Sequence, residues 1–215
     1  FEPGFDVMHT DLNFILLGFI IEKIYNDSLD VLANEYIFKP LNMDNTCFNP
    51  GDSILLGPTE CIDNKILVGK VHDPKTRFLN GVSGTSGLFT NISDISNFIT
   101  MVLHDGFYNG KKYLDSSVID MWFTPLFIGE DYLRKTIGWT YGKSSSMVCK
   151  YCSDNTIYHS GFTGCHMFID RDNDFGFALL SNRIHPTSCN NLLIDKREEI
   201  NNYVYELLKK YDEIY

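Results

Sequence analysis

Thr156-Ile-Tyr-His-Ser-Gly-Phe-Thr-Gly-Cys-His-Met-Phe-Ile-Asp-Arg-Asp-Asn-Asp-Phe-Gly-Phe-Ala-Leu-Leu-Ser181 is the stretch that decides the fold. Thr156–Gly161, Cys165–Asp170 and Phe175–Ser181 read as strands, because short apolar runs stand between glycine-rich and acidic breaks. The polar run Arg171-Asp172-Asn173-Asp174 joins the last two as a hairpin. Apolar residues on both faces of Phe175–Leu180 place that strand centrally in its sheet. Just upstream, Gly138-Trp139-Thr140-Tyr141 reads as a further strand. Downstream, Asn191 to Lys210 reads as an amphipathic helix with Leu193, Ile200, Val204, Leu207 and Leu208 on its apolar face.

Toward the N-terminus the period changes from that of strands to that of helices. Leu12, Ile15, Leu16, Phe19 and Ile20 recur at helical spacing after Asp11, which serves as the expected N-cap. A second helix is expected from Ser28 to Phe38, stopping near Pro40. Residues Asn49 to Asn91 are rich in Gly, Pro, Asn and Asp and read as long, irregular coverage. Ser93 opens a helix over Asp94–His104, ended by Gly106, and Asp115–Phe123 reads as a short helix. Helices first, then antiparallel strands, then a helix is an α+β order, with helices packed on an antiparallel sheet in a single domain over residues 1–215.

The chain has 215 residues and 44% hydrophobic residues, a globular composition. With 18 Lys plus Arg against 28 Asp plus Glu, its net charge is −10, which argues against nucleic acid and anionic membranes as partners. The apolar stretch Leu12–Ile21 is too short to span a bilayer. Six scattered cysteines are expected to be reduced thiols, which favours a reducing compartment. Cys149 and Cys152 form a C-x-x-C pair with no second pair to complete a zinc site, and read as partly exposed thiols near a loop. Gly81–Gly87 lacks the lysine of a phosphate loop. Neither a metal nor a cofactor is expected.

Several strings then occur in one order. Pro3-Gly4 precedes His9-Thr10-Asp11, and Lys39-Pro40-Leu41-Asn42-Met43-Asp44-Asn45-Thr46 follows. Next come Pro58-Thr59-Glu60, Val71-His72-Asp73 and Gly81-Val82-Ser83-Gly84-Thr85-Ser86-Gly87-Leu88-Phe89. His159-Ser160-Gly161-Phe162-Thr163-Gly164-Cys165 and Ser181-Asn182-Arg183-Ile184-His185-Pro186 complete the set. The series resembles that of the serine β-lactamase-related hydrolases: class C β-lactamases, low-molecular-weight penicillin-binding proteins and esterases.

The resemblance implies acyl transfer through a serine acyl-enzyme, with a β-lactamase/transpeptidase-like fold. In that family an S-x-x-K helix supplies the nucleophile, a Tyr-Ser-Asn/Asp element moves its proton, and a third element on a strand binds substrate and shapes the oxyanion hole. By resemblance, His9 stands for the tyrosine, Asp11 for the Asn/Asp, and His159 opens the third element. Ser160, Gly161 and Phe162 would meet substrate, with the N–H of Phe162 as an oxyanion donor. Histidine can serve as a base near neutral pH, so His9 keeps the chemistry open. Thr85 and Ser86, where the family carries His and Ala, are expected to serve backbone geometry. Cys165 is not expected to be a nucleophile, since the adjacent His166 points to the other face of its strand. No serine is followed three residues later by lysine. With Phe1 and not Met at position 1, the chain reads as the C-terminal part of such a domain: inactive alone, poorly stable, and self-associating through an exposed sheet edge. Its substrate would be a small ester, a peptide or a β-lactam, and His159 where β-lactamases have Lys tilts towards an esterase or peptidase. A non-catalytic binding relative and a degenerate gene fragment are the alternatives.

Overall fold

The computed structural model describes residues 9–51, 55–126, 134–143 and 146–212, so Pro3-Gly4 lies outside them. The chain forms two compact units, Phe1–Asp94 and Ile95–Tyr215.

The first unit opens with helix α1, Asp11–Tyr25. Its N-cap is Thr10 and not the expected Asp11: Thr10 is extended and its hydroxyl accepts the Leu12 N–H at 3.0 Å. Asp11 is thereby the first helical residue, its carboxylate beside the positive end of the helix dipole. Ser28 precedes α2, Leu29–Ala33, which widens into a π-helical turn at Asn34–Phe38. The stretch from Asn49 to Asn91 is less irregular than its composition suggests. Strand β1 (Cys47–Phe48), just before it, pairs with β4 (Leu88–Phe89). Between them lie the hairpin of β2 (Cys61–Ile62) with β3 (Lys65–Ile66), and helix α3 (Pro74–Phe78), capped by Asp73. A local composition cannot reveal β1 with β4, because the partners are far apart in sequence.

Helix α4, Ile92–Leu103, begins before the expected Ser93; Asn91 precedes it and its side chain accepts the Asp94 N–H at 2.8 Å. Asp94 is buried and accepts from Thr46 Oγ1 at 2.7 Å and from the Asn45 N–H at 2.8 Å, so the start of α4 is tied to the Pro40–Thr46 stretch.

In the second unit, β5 (Phe107–Tyr108) and β6 (Lys111–Lys112) form a hairpin around Asn109-Gly110, both at positive φ. Asn-Gly is the standard signal for such a two-residue turn, and the sequence reading passed over it. Helix α5, Ser116–Trp122, is capped by Asp115. Strand β7 (Thr140–Tyr141) joins β8 (Thr156–Ser160), β9 (His166–Asp170) and β10 (Phe175–Leu179) in one antiparallel sheet of order β10-β9-β8-β7. The α+β arrangement and the β9–β10 hairpin agree with the sequence reading. Arg171 in that hairpin donates to Asp120 and to Asp105, each at 2.6 Å. Helix α6, Leu192–Asp212, follows. The rings form a chain, Phe177 on Phe168, Phe168 on Phe175, Phe175 on Tyr205 and Tyr205 on Tyr151, which joins the sheet to α6. Elsewhere in the unit, Phe98, Trp122 and Trp139 form a mutual ring cluster, the two indoles 6.3 Å apart. On β10, Gly176 leaves room for Ile99 of α4; a Cβ there would fall within 2.1 Å of Ile99 Cγ2.

Two surfaces lack cover among the described residues, one apolar and one a strand edge. In α1 only Gly18 is buried, while Leu12, Leu16, Leu17, Ile20 and Ile24 are exposed. Strand β10, expected to lie centrally, is at the end of its sheet, and its outer edge has no ladder partner there. Such surfaces favour association. The 215-residue chain is therefore expected to sediment above its 24.7 kDa monomer mass, and the double change Leu16→Glu, Ile20→Glu to shift it back. A clean wild-type monomer with a sharp melt would contradict this. No helix among the described residues is long and apolar enough to cross a membrane.

Candidate functional site

The six expected site residues fall on the two units: His9 and Asp11 on the first, His159 to Phe162 on the second.

In the first unit, His9 is exposed and directly precedes the cap of α1. Asp11 is the centre of a polar network. Its Oδ2 lies 2.9 Å from Lys75 Nζ, and its Oδ1 accepts from Thr85 Oγ1 at 3.1 Å. Lys75 also reaches Asp73 Oδ2 at 3.1 Å. The hydrogen bond from Lys75 holds the Asp11 carboxyl below the usual range, with Thr85 adding to it against the opposing effect of burial. The two carboxylates in turn raise the Lys75 ammonium. For Asp73, burial is the largest single effect and raises it, but the Thr76 N–H and Lys75 together outweigh it, and the net shift is downward. Beside this network, Thr76 and Ser86 hydroxyls lie 2.6 Å apart, and His72 Nε2 lies 2.8 Å from Glu60 Oε2.

Thr85 and Ser86 thus do more than set backbone geometry: each places a hydroxyl in a hydrogen bond. Lys75 goes unrecognised in the sequence, and Asp73 stands there only within Val71-His72-Asp73, since nothing local announces a contact between α3 and the start of α1. The loop that carries Thr85 reaches α1 because two glycines allow it. Gly18 would place a Cβ 3.3 Å from the Gly84 nitrogen, and Gly84 would place one 2.2 Å from the Phe14 carbonyl oxygen. Helix and loop therefore meet backbone to backbone.

In the second unit, His159 and Ser160 end β8, opposite Met167 and His166 of β9. The turn that follows is tightly fixed. Gly161 N–H donates to the Cys165 carbonyl at 2.7 Å, Gly164 N–H to Gly161 at 3.0 Å, and Arg183 N–H to Thr163 at 3.0 Å. Gly164 has φ +105° and its Cβ would meet Ser181 Oγ at 2.5 Å, so only glycine suits it. Gly161 differs: a Cβ there would meet nothing closer than 3.7 Å, and its surroundings leave the position open to an approaching group. Phe162 is exposed and the Arg183 guanidinium lies 5.0 Å over its ring, a cation–π contact.

Cys165 is occupied otherwise than as a nucleophile: its sulfur lies 3.3 Å from the Ser181 nitrogen and 3.2 Å from the Ser181 oxygen, bridging neighbouring segments. His166 is buried on the other face, its Nε2 3.0 Å from Asn201 Oδ1. Burial pushes its imidazole downward, against the Asn201 contact. A threonine does stand three residues before a lysine, Thr140 before Lys143. It lies on β7, and Lys135 Nζ donates to its hydroxyl at 2.7 Å, so it is no helical nucleophile pair. Among the described residues no cluster of three or more His, Cys, Asp or Glu side chains has the arrangement of a metal site.

An antiparallel sheet preceded by helices is shared with solved structures. A penicillin-binding protein homologue from Caulobacter crescentus superposes with a TM-score of 0.67 at 12% identity, over 92% of this chain and 57% of that one. A β-lactamase from Mycobacterium bovis does so with 0.62 at 16%, over 85% and 58%. The sequence model of the Beta-lactamase family matches residues 1–201, and the chain belongs to that family. It is also similar to the N-acetylmuramyl-L-alanine amidase of Bacillus subtilis, 29% identical over 208 residues. That match covers 86% of this chain and 46% of the amidase, so the chain spans about half the length of this curated relative.

Proposed function

We propose that the chain is part of a serine hydrolase that transfers an acyl group from an amide, ester or β-lactam to water, with an amide of the cell-wall peptide class as its substrate. The observation that carries the reading is the Asp11 network. A residue matching the family's Asn/Asp sits at the first turn of α1, oriented by Lys75 and by Thr85 of the glycine loop. Orientation of this kind is what a proton-transfer element needs, because geometry precedes pKa in selecting a general base. The naming of the similar Bacillus subtilis protein as an amidase supports the amide. His159 in place of lysine at the head of the third element favours an ester or peptide over a β-lactam.

In this reading His9 relays the proton of a serine supplied by an S-x-x-K helix, a pattern these 215 residues do not contain. Asp11 fixes that segment through Thr85 and Lys75. His159 and Ser160 hold the substrate, Gly161 lets it lie against the strand, and the Phe162 N–H faces the developing oxyanion. His9 in place of tyrosine, with no S-x-x-K in the chain, supports the second reading, a non-catalytic binder of cell-wall peptide.

The test is to read the coding sequence on the 5′ side of Phe1 and, if an in-frame S-x-x-K is found, to assay the extended protein on N-acyl-L-alanine amides. Turnover is expected from the extended protein and none from the 215 residues alone. His9→Ala is expected to lower kcat/KM by about 100-fold or more, the usual worth of a positioned proton-transfer group. Turnover indifferent to His9→Ala would remove His9 from the mechanism. An upstream sequence without S-x-x-K would leave the binding reading in place of the hydrolase.

A further inference from the structure

Cys149 and Cys152 take no part in that chemistry, and their surroundings differ from what the sequence suggested. Both thiols are buried, not partly exposed, in a cluster with Val148, Tyr158, Phe168 and Tyr205. Their sulfurs are 3.4 Å apart, with Cys152 Sγ towards Cys149 Sγ, and the Cys152 N–H donates to the Cys149 carbonyl at 3.1 Å. The segment is strapped down on both sides. Asn202 of α6 accepts the Lys150 N–H at 2.8 Å, Asn201 donates to the Met147 carbonyl at 3.2 Å, and Ser153 donates to Asp170 of β9 through both its N–H (2.7 Å) and its hydroxyl (2.6 Å). The remaining cysteines are separate from the pair, and Cys61 and Cys189 are exposed.

We propose that Cys149 and Cys152 form a peroxide-oxidisable dithiol site that closes to an intrachain disulfide. The geometry requires little: the sulfurs already face each other across one turn, and bonding shortens their separation from 3.4 Å to about 2 Å. The thiols are also unequal. The hydrogen bond from Cys152, then the backbone N–H groups of Tyr151 and Cys152, hold Cys149 down to about 7 against burial. Cys152 is pushed up, first by the Cys149 sulfur it faces and then by burial. Cys149 is thus the attacking thiolate and Cys152 the resolving thiol.

The co-substrate is a small hydroperoxide, which a buried site admits more readily than a bulky disulfide. Cys149 sulfur attacks one peroxide oxygen, the O–O bond breaks, the departing hydroxide takes a proton and leaves as water, and a sulfenic acid remains. Cys152 sulfur then attacks that sulfur, the S–S bond forms, the S–O bond breaks, and a second water leaves with the Cys152 proton. The pair loses two electrons and the peroxide gains them.

The reduced 215-residue chain is exposed to limiting hydrogen peroxide, denatured, alkylated with N-ethylmaleimide and mapped by peptide mass. The expected result is a peptide joining Cys149 and Cys152, lighter by two hydrogen atoms, unalkylated and restored by dithiothreitol. The exposed Cys61 and Cys189 should give no such bridged peptide, since the 3.4 Å approach of two sulfurs belongs to Cys149 and Cys152. Cys152→Ser should trap Cys149 as a dimedone-reactive sulfenic acid, and Cys149→Ser should trap none. Cys149 and Cys152 both still alkylated after the peroxide has been consumed would overturn the proposal. The peptide map of the wild-type chain decides this even if a serine variant fails to fold.

Discussion

Gly84→Ala is expected to unfold the first unit at markedly lower temperature than the parent chain, with a loss of about 3 kcal/mol or more, the upper end for forcing added volume into a packed site. The cause is geometric. The new Cβ would stand 2.2 Å from the Phe14 carbonyl oxygen, and that oxygen belongs to the backbone of α1 and cannot swing aside as a side chain would. Either α1 retreats or the loop does. In both cases Thr85 leaves Asp11, so the change should also disturb the Asp11 network. Gly51→Ala is the control: a Cβ there meets nothing within 4 Å, and its effect should stay within about 0.5 kcal/mol. Far-ultraviolet circular dichroism during heating reads both. Coincident melts for Gly84→Ala and the parent would show that α1 and the glycine loop are not held together as described.

Asp170→Ala should cost the second unit about 3 kcal/mol or more, as expected when a buried carboxylate leaves several donors unmatched. Asp170 is fully buried on β9. Its Oδ1 accepts from the Ser153 hydroxyl (2.6 Å) and the Asn173 N–H (3.3 Å), and its Oδ2 from the Ser153 N–H (2.7 Å) and Asn173 Nδ2 (2.7 Å). Asp170→Asn separates shape from chemistry. With the amide oxygen kept towards the Ser153 N–H and Asn173 Nδ2, the NH2 meets the Ser153 hydroxyl, which can turn and accept, and opposes only the longer Asn173 N–H contact, so the near-isosteric change should cost clearly less than alanine. Urea titration of the three proteins tests this, and an Asp170→Asn as costly as alanine would show that the Ser153 hydroxyl does not turn to accept.

What the sequence disclosed was what local pattern can encode. The strands His166–Asp170 and Phe175–Leu179 were legible because aromatic and aliphatic residues crowd between a glycine turn and an acidic turn. The helices were legible from their period, with errors of a residue or two at caps such as Thr10 and Asn91. The Cys149–Cys152 pair was misjudged because its burial comes from Phe168 and Tyr205, which sit on other elements. The site was legible only as strings. His9, Asp11 and His159 stood out through family spacing, whereas Lys75 could not, since α3 must first fold against α1 before its ammonium has a carboxylate to meet. Thr85 and Asp11 are 74 residues apart, a separation no window of local sequence covers.

The chain has two tryptophans, Trp122 and Trp139, and both lie in the second unit within one ring cluster. The fluorescence of the protein is therefore a local instrument. Excitation at the red edge reports on the stack with Phe98, and indoles only 6.3 Å apart should couple and give a signed doublet in the near-ultraviolet dichroism. The half of the chain that holds α1, Asp11 and the glycine loop emits no such signal. An unfolding curve recorded by emission alone would describe the Asp170 variants well and would leave the Gly84 variant optically dark.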